Sequence, residues 1–159
     1  MVKHGDNIRL AGAEDLATVG RLLEHVLAVH HSGRPDLFRA NGKKYTDDQL
    51  LDIFANPDTP VWVYERGGAV VAYAFCAMKA ADAENLEAVK TLYLDDFCVD
   101  PSCQGQGIGR ALFEYVRDWA ANLGFHNLTL HVWECNPDAR AFYDSLGLKP
   151  QYTSMEIIL

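Results

Sequence analysis

The sequence lacks the features that would place the chain in or across a membrane. No apolar run is long enough to span a bilayer, and residues 1–15 lack the apolar stretch and small-residue cleavage site of a secretory signal. We therefore expect no membrane insertion and a cytoplasmic protein.

Basic residues are also scarce. The chain has 14 Lys and Arg residues against 22 Asp and Glu residues, which leaves a formal net charge of -8 at pH 7. Proteins that bind a phosphate backbone carry the opposite sign of charge, so we expect no nucleic-acid partner. The same acidity attracts cationic partners.

Spacings typical of metal sites are missing. The chain contains four cysteines and six histidines, but no Cys-x-x-Cys and no His-x-x-x-His pair. We therefore predict no metal site. Cys76 and Cys98 lie in strongly apolar stretches, where buried free thiols are favoured over disulfides.

Internal repeats, low-complexity tracts and Pro/Gly/Ser-rich linkers are absent as well. A chain of 159 residues, 49% of them hydrophobic, can bury one sizeable core but is too short for two independent ones. We predict a single domain over residues 1–159, with residues 79–90 as a long connection inside it.

The first half of the chain predicts a short strand followed by two helices. Residues 8–11 favour the strand, and apolar residues at helical spacing from Leu16 to Val26 predict a helix that fades near His30. Thr46 and Gln49 form a capping box that opens the second helix. These elements precede the main sheet.

The remaining residues predict the sheet itself. Residues 61–65 and 69–78 flank a Gly-rich turn and read as a hairpin, and residues 91–99 read as a further strand. After them we predict a helix that Gly124 ends, a strand over 128–132, a short helix from Asn136 to Gly147, and a closing strand over 152–159. This order indicates an α/β or α+β fold: a single mixed, mostly antiparallel sheet of about seven strands, with helices on both faces.

A glycine-rich segment lies between the strand over 91–99 and the helix that follows it. Its sequence is Gln104-Gly105-Gln106-Gly107-Ile108-Gly109. The free backbone N–H groups at a helix start can bind an anion, and glycines let the ligand approach closely. Such a turn can also bind a dinucleotide or simply pack tightly. The Gly-Lys-Ser/Thr ending of a nucleotide-binding P-loop and the Gly-x-Gly-x-x-Gly spacing of a dinucleotide-binding turn are both missing.

This segment resembles the signature of the GNAT family of acetyl-CoA-dependent N-acetyltransferases, Gln/Arg-x-x-Gly-x-Gly/Ala between a strand and a helix. Gln104, Gly107 and Gly109 fit it. Residues 93–99 are similar to the central strand of the family, and residues 136–147 to its second motif. The resemblance covers most of the chain, whereas residues 1–60 match only in outline.

The resemblance implies that acetyl-CoA is the acyl-donor substrate and that the backbone holds most of it. Main-chain groups of the central strand would pair with the pantetheine arm, and amides of the turn would cradle the pyrophosphate. A bulge in the central strand would splay it from its neighbour and open the cleft. The implied donor-binding residues are Phe97, Cys98, Val99, Gln104, Gly105, Gln106, Gly107, Ile108, Gly109, Arg110, Asn136 and Tyr143.

Two residues are implied in proton transfer. An amine with a pKa of ~10.4 must lose a proton before it attacks a thioester, and Asp95 lies where the family places a strand carboxylate for this step. Simple alternation puts Asp95 and Asp96 on opposite faces, so only one faces the cleft unless the bulge intervenes. Tyr143 matches the tyrosine that protonates the departing thiolate. The alternative for Asp95 and Asp96 is that both are ordinary surface carboxylates. The alternative for Tyr143 is that its ring only fills the core.

The acceptor is less well defined by the sequence. Residues 30–38 fall where the family shapes its acceptor site, and His31, Asp96, Glu134 and His131 are candidate contacts. Residues 93–97 are similar to the central strand of diamine and polyamine acetyltransferases, so a small cationic amine is favoured over a peptide or protein. The alternative is a noncatalytic domain that senses acyl-CoA or holds a partner. The resemblance also implies a homodimer.

Overall fold

The computed structural model describes residues 5–81 and 84–159, and its strands form one sheet. The strands are β1 (Asp6–Leu10), β2 (Val61–Arg66), β3 (Ala69–Ala80), β4 (Lys90–Val99) and β5 (Asn127–Leu130). They lie side by side in chain order; β1 to β4 are antiparallel neighbours, and β5 runs parallel to β4. The mixed, mostly antiparallel sheet is therefore confirmed.

The predicted number of about seven strands was too high, because the described residues form five. Residues 152–159 form no strand, and Val132 lies beyond β5. Side-chain contacts hold the terminal segment instead: Tyr152 bonds His131, and Glu156 pairs with Arg34. Alternating apolar residues are a local signal, whereas a strand also needs a backbone edge to pair with.

Four helices flank the sheet, as predicted. They are α1 (Leu16–Gly33), α2 (Asp47–Ala55), α3 (Ile108–Asn122) and α4 (Pro137–Ser145). Helix α1 continues to Gly33, past its predicted end near His30. The capping box of α2 is formed, since Thr46 and Gln49 exchange hydrogen bonds of 2.8 and 3.2 Å. Gly124 follows the end of α3 with a φ of +75°.

Helices on both faces divide the core into two clusters. Helix α3 covers one face, and α1 with α2 covers the other. The α3-side cluster includes Ile8, Trp62, Tyr64, Ala72, Leu92, Leu94, Leu112 and Val116. The α1-side cluster includes Val19, Leu22, Leu50, Val61, Val63, Tyr73, Phe75 and Cys98. Strand β2 shows the alternation clearly, because its even and odd positions enter different clusters.

Strand β4 carries a β-bulge, as the family resemblance implied. Phe75 of β3 pairs with Asp96, but the next residue, Cys76, pairs with Leu94. Asp95 is therefore the extra residue, without a partner in β3.

The bulge reverses the alternation of faces along β4. Leu94 and Phe97 both pack on the α3 side, although residues three positions apart in a regular strand face opposite sides. Cys98 packs on the α1 side. Asp95 and Asp96 therefore both face the α1 side. Simple alternation predicted that Asp95 and Asp96 lie on opposite faces unless a bulge intervenes. The bulge is present, so the two carboxylates lie on the same face.

The connection predicted over residues 79–90 is shorter in the structure. Strand β3 continues to Ala80, and β4 begins at Lys90. Residues 82 and 83, which the predicted connection includes, lie outside the described residues. Among the helices that are described, none is long and apolar enough to cross a membrane.

Candidate active site

The cleft opens where β4 loses its neighbour. The parallel pairing of β4 with β5 covers only Thr91–Leu94, and β5 ends at Leu130. Within the described part of the chain, the β5-side edge of residues 95–99 therefore has no partner strand. Phe97 stacks on Phe142 of α4 there, with ring centroids 5.8 Å apart. The splayed strand leaves backbone groups free beside α3 and α4.

The glycine-rich turn presents the N-terminus of α3 to this opening. Gly105 and Gly107 have φ angles of +71° and +84°, which other residues adopt only with strain. Gly107 is the N-cap and has no side chain to satisfy the first amides. Ala111 makes the first helical hydrogen bond, to the Gly107 carbonyl, so the amides of residues 108–110 are left to a ligand.

Gly109 has a different role from the other two glycines. It has an ordinary helical conformation, but a Cβ there would lie 3.2 Å from the ring of Phe142 and 3.3 Å from Val99. Gly109 therefore lets α3 approach β4 and α4 closely, which brings the start of the helix to the open strand edge.

Polar contacts hold the segment that leads into the turn. Asp100 accepts hydrogen bonds from the backbone N–H and the hydroxyl of Ser102, at 3.0 and 2.6 Å, and from Arg21 at 2.8 Å. The bond from the Ser102 hydroxyl, followed by the one from Arg21, lowers the pKa of Asp100 to about 2. This carboxylate is ionised at neutral pH and fixes the exit from β4.

The glutamines and Arg110 brace the turn rather than point into the cleft. Gln104 donates to the Val99 carbonyl at 3.2 Å, and Gln106 accepts from Arg66 at 2.7 Å. Arg110 donates to the carbonyl and hydroxyl oxygens of Ser145, at 3.2 and 3.3 Å. The backbone of residues 105–110 is thus the predicted donor-binding feature that the geometry leaves available. The Val99 carbonyl is occupied by Gln104.

Asp95 and Asp96 form an acidic floor beside the opening. Both carboxylates lie 2.9 Å from the ammonium of Lys44, which the connection between α1 and α2 supplies. The side chain of Asp96 is 8% exposed and that of Asp95 is 35% exposed. Burial opposes the charge on Lys44, but the attraction of Asp96 and Asp95 outweighs it and raises the pKa of the ammonium.

Two tyrosines orient these carboxylates. Tyr73, which is fully buried, donates to Asp96 at 3.0 Å, and Tyr45 donates to Asp95 at 3.3 Å. Burial, with the charge of Asp96 added, raises the pKa of Tyr73 far above its ordinary value, so its hydroxyl keeps its proton. The hydroxyl of Tyr73 therefore donates a hydrogen bond to Asp96 and helps to hold that side chain in place.

An aromatic group forms one wall beside this floor. Tyr93 precedes the bulge and contacts the Nδ1 of His131 at 3.2 Å, while the Nε2 of His131 contacts Tyr152 at 2.7 Å. The ammonium of Lys79 lies 3.7 Å from the centroid of the Tyr93 ring. Burial, followed by the charge of Asp95, raises the pKa of Tyr93.

The region over residues 30–38 carries a second aromatic group. The ring of Phe38 packs against His30 at 5.0 Å and edge-on against Trp133 at 5.3 Å. His31 is pinned by a 2.6 Å contact between its Nδ1 and the Phe38 carbonyl oxygen. Glu134 is almost fully exposed and lies 3.6 Å from Arg140. Neither His31 nor Glu134 contacts the carboxylate pair directly.

Tyr143 lies on α4 beside the same opening. Its ring packs against the α3-side cluster and against Phe142, at 5.3 Å. Burial, then the charge of Asp96, raises the pKa of its hydroxyl. The hydroxyl makes no hydrogen bond to residues 5–81 or 84–159. Tyr143 is therefore protonated and has a donor available.

The side chains of Asn136 and Cys98 are each restricted in what they offer to a ligand. The Asn136 side-chain oxygen caps α4 by accepting from the Ala139 N–H at 3.1 Å, which leaves only its amide nitrogen for a ligand. Burial raises the pKa of the Cys98 thiol to about 12. This thiol lies on the α1 side and stays protonated, so Cys98 offers its backbone and not a nucleophile.

Three residues of the site were missed by the sequence reasoning. Lys44, Tyr45 and Tyr73 come to Asp95 and Asp96 from a loop and from the neighbouring strand. No motif marks them, and a lysine in a polar loop ordinarily faces solvent. The register of β3 on β4 would have identified Tyr73, because it pairs with Cys98 next to the bulge.

Comparison with known proteins identifies relatives of this chain. The model of the Acetyltransferase (GNAT) family matches residues 26–148. An uncharacterized N-acetyltransferase of Lactobacillus delbrueckii subsp. lactis is 30% identical over 118 residues, which cover 71% of this chain and 65% of that protein. Thialysine N-epsilon-acetyltransferase of Bos taurus is 29% identical over 98 residues, which cover 62% of this chain and 52% of that protein. The chain thus spans less than two thirds of these relatives.

A solved structure shows the same fold over nearly the whole length. A mutant of the BH1408 protein from Bacillus halodurans superposes with a TM-score of 0.92 at 30% identity, covering 96% of this chain and 99% of that one. The matched family model includes the bulged strand, the glycine-rich turn and α4. The chain therefore belongs to the GNAT acetyltransferase family.

Proposed function

We propose that the chain transfers the acetyl group of acetyl-CoA to a primary amine of a small cationic molecule, polyamine-like or similar. One observation carries this proposal. The bulge turns Asp95 and Asp96 to the same side of β4, where they already hold an ammonium group, that of Lys44. A site that binds an internal ammonium offers the same contacts to an acceptor amine.

The donor fits the opposite side of the splayed strand. The amides of residues 108–110 and the positive end of the α3 dipole suit the pyrophosphate of coenzyme A. The open edge of β4 at residues 97 and 98 suits the amide groups of the pantetheine arm, whereas the Val99 carbonyl already accepts from Gln104. These two features lie together because Gly109 permits the close packing of α3 on Val99.

The reaction then needs two protons to leave the acceptor ammonium and one to reach the sulfur. Asp95, the more exposed carboxylate, takes a proton from the acceptor ammonium directly or through water. The neutral nitrogen attacks the thioester carbonyl carbon and the C–N bond forms. The nitrogen then loses its second proton to solvent as the C–S bond breaks. Tyr143 gives its proton to the departing thiolate and recovers one from solvent. The products are an amide, coenzyme A and one released proton.

A small cationic acceptor is favoured over a protein by the chemistry of the site and by one relative. Tyr93 lies two residues before Asp95 on β4, and its ring holds the ammonium of Lys79 at 3.7 Å, so an aromatic face near the carboxylates attracts cations as well. The bovine relative carries the name thialysine N-epsilon-acetyltransferase.

The alternative is a noncatalytic domain that binds acyl-CoA or a partner. It explains the glycine-rich turn and the open strand edge equally well. It does not explain a Tyr143 hydroxyl that makes no hydrogen bond to the described residues, or the two carboxylates on one side of β4. Donor binding without turnover over a broad panel of amines would favour this alternative.

We also propose that the chain forms a homodimer through its terminal segment. Met155, Ile157 and Ile158 are 90%, 83% and 79% exposed, and their backbone pairs with none of the described strands. Exposed apolar side chains on a segment without strand partners suit a contact with a second copy. Contact through this segment would shield these side chains from water.

The function is tested by identifying the product. The purified protein is incubated with acetyl-CoA and pools of polyamines, aminoglycosides, amino acids and peptides. Mass spectrometry then identifies the acceptors that have gained an acetyl group. We expect an acetylated polyamine or similar small cationic amine. Acetylation of peptides alone would contradict the small-molecule acceptor, and donor binding with no acetylated product would favour the noncatalytic alternative.

A further inference from the structure

Lys44 occupies the acidic floor as an internal cation. Its ammonium lies 2.9 Å from one oxygen of Asp95 and 2.9 Å from one of Asp96, so it is shared between both carboxylates. Its side chain is 35% exposed, which is low for a lysine on a connecting segment. The neighbouring Lys43 is 61% exposed and only reaches Asp47 at 3.5 Å. The two adjacent lysines are therefore in different surroundings.

The segment that carries Lys44 is free of regular structure. Helix α1 ends at Gly33 and α2 begins at Asp47, so Lys44 lies in the connection between them. Its Nζ makes no hydrogen bond to any described residue other than the two aspartates. The side chain can therefore leave the floor by rotating its own bonds, without breaking a helix or strand.

We propose that Lys44 is a specificity-determining residue that competes with the acceptor for the carboxylate pair. This inference rests on the proposed function. A cationic acceptor must displace the Lys44 ammonium from Asp95 or bind beside it against its charge, whereas an uncharged amine meets no such opposition. Lys44 thereby weakens the binding of cationic acceptors and reduces the preference of the site for cationic over uncharged amines.

The size of the effect follows from Coulomb interaction near a protein surface. Two unit charges about 4 Å apart interact strongly enough there to change affinity by about tenfold or more. Replacing Lys44 with methionine keeps most of the apolar stem and removes the charge. The KM for a cationic amine should then fall by about tenfold, and the KM for acetyl-CoA should not change.

The test compares a cationic alkylamine with a hydrazide, which is uncharged at neutral pH, as acceptors. We expect Lys44→Met to raise the ratio of kcat/KM for the cation over the hydrazide by about tenfold. Lys44→Arg, which retains the charge, should keep the wild-type ratio, and Lys43→Met is the matched control. An equal change for both acceptors, or a higher KM for the cation, would mean that Lys44 only supports the loop.

A second measurement needs no turnover. The shift in melting temperature caused by an alkyl diamine is measured with saturating coenzyme A for the wild type and the three variants. Lys44→Met should gain a larger shift than Lys43→Met. If the wild type acetylates no amine but this difference appears, the proposed function fails and the competition stands. If the shifts are equal, the competition is overturned whatever the activity.

Discussion

At the scale of single residues, the chemistry depends on which side chains reach the splayed part of β4. Asp95 and Tyr143 follow from the family motifs, because both lie inside short matched segments. The pairing of Asp95 with Asp96 on one side depends on a single inserted residue in the register of β3 and β4. Lys44 and Tyr73 reach the same carboxylates from distant positions, and no local pattern in the sequence records that contact.

Asp95 is predicted to be the base. Asp95→Asn should lower kcat/KM for the acceptor by about a hundredfold or more, because the neutral amide cannot take the proton. The Kd for acetyl-CoA should be unchanged, as measured by calorimetry. Asp47→Asn is the control, since Asp47 is an exposed carboxylate that, among residues 5–81 and 84–159, pairs only with Lys43. An Asp95→Asn enzyme with wild-type kcat/KM would remove Asp95 from the mechanism.

Tyr143 is predicted to protonate the leaving thiolate. Tyr143→Phe should reduce kcat by about a hundredfold with donor binding intact, because the ring still packs and only the hydroxyl is lost. Tyr115→Phe is the matched control on α3, where the tyrosine is 38% exposed and packs edge-on against Trp62. Steady-state kinetics measures kcat for both variants. Equal rates for the two would leave Tyr143 as a packing residue.

At the scale of elements, helix boundaries followed from the sequence better than strands did. The Thr46–Gln49 capping box and Gly124 are local signals that act on the residues next to them, and both hold in the structure. The closing strand over residues 152–159 was wrong, because apolar alternation does not supply an edge to pair with. The bulge in β4 came only from the family resemblance.

Gly107 is predicted to serve the donor, beyond its place in the fold. Gly107→Ala and Gly124→Ala both force alanine into positive φ, +84° and +75°, with open space around the new Cβ. Each should therefore lower stability by about 1 kcal/mol. Only Gly107→Ala should weaken acetyl-CoA binding, because it distorts the amides at the start of α3. Calorimetric Kd values that change equally in both variants would contradict this.

At the scale of the whole molecule, the order of elements along the chain determined the architecture. Hairpin strands followed by alternating strands and helices predicted a mixed sheet with both faces covered, and the two core clusters confirm it. The route of the terminal segment was not predicted. It depends on contacts of His131 with Tyr152 and of Arg34 with Glu156, which join distant parts of the chain.

The terminal segment also carries the prediction about assembly. The protein should sediment as a dimer, and Ile157→Asp should shift it to the monomer, because a charge would then be buried in the contact. Leu123→Asp is the control, as Leu123 is 52% exposed but lies at the far end of α3. A monomeric wild type, or a dimer that Ile157→Asp leaves intact, would contradict the proposed contact.

We infer that this fold couples the breaking of a thioester to the acetylation of an amine. The most direct measurement is the release of free thiol from acetyl-CoA, followed with and without a cationic amine and compared with the amount of acetylated product. We predict release only when the amine is present, with one thiol for each amide formed. Thiol release that does not depend on the amine, or no release despite bound acetyl-CoA, would contradict the account.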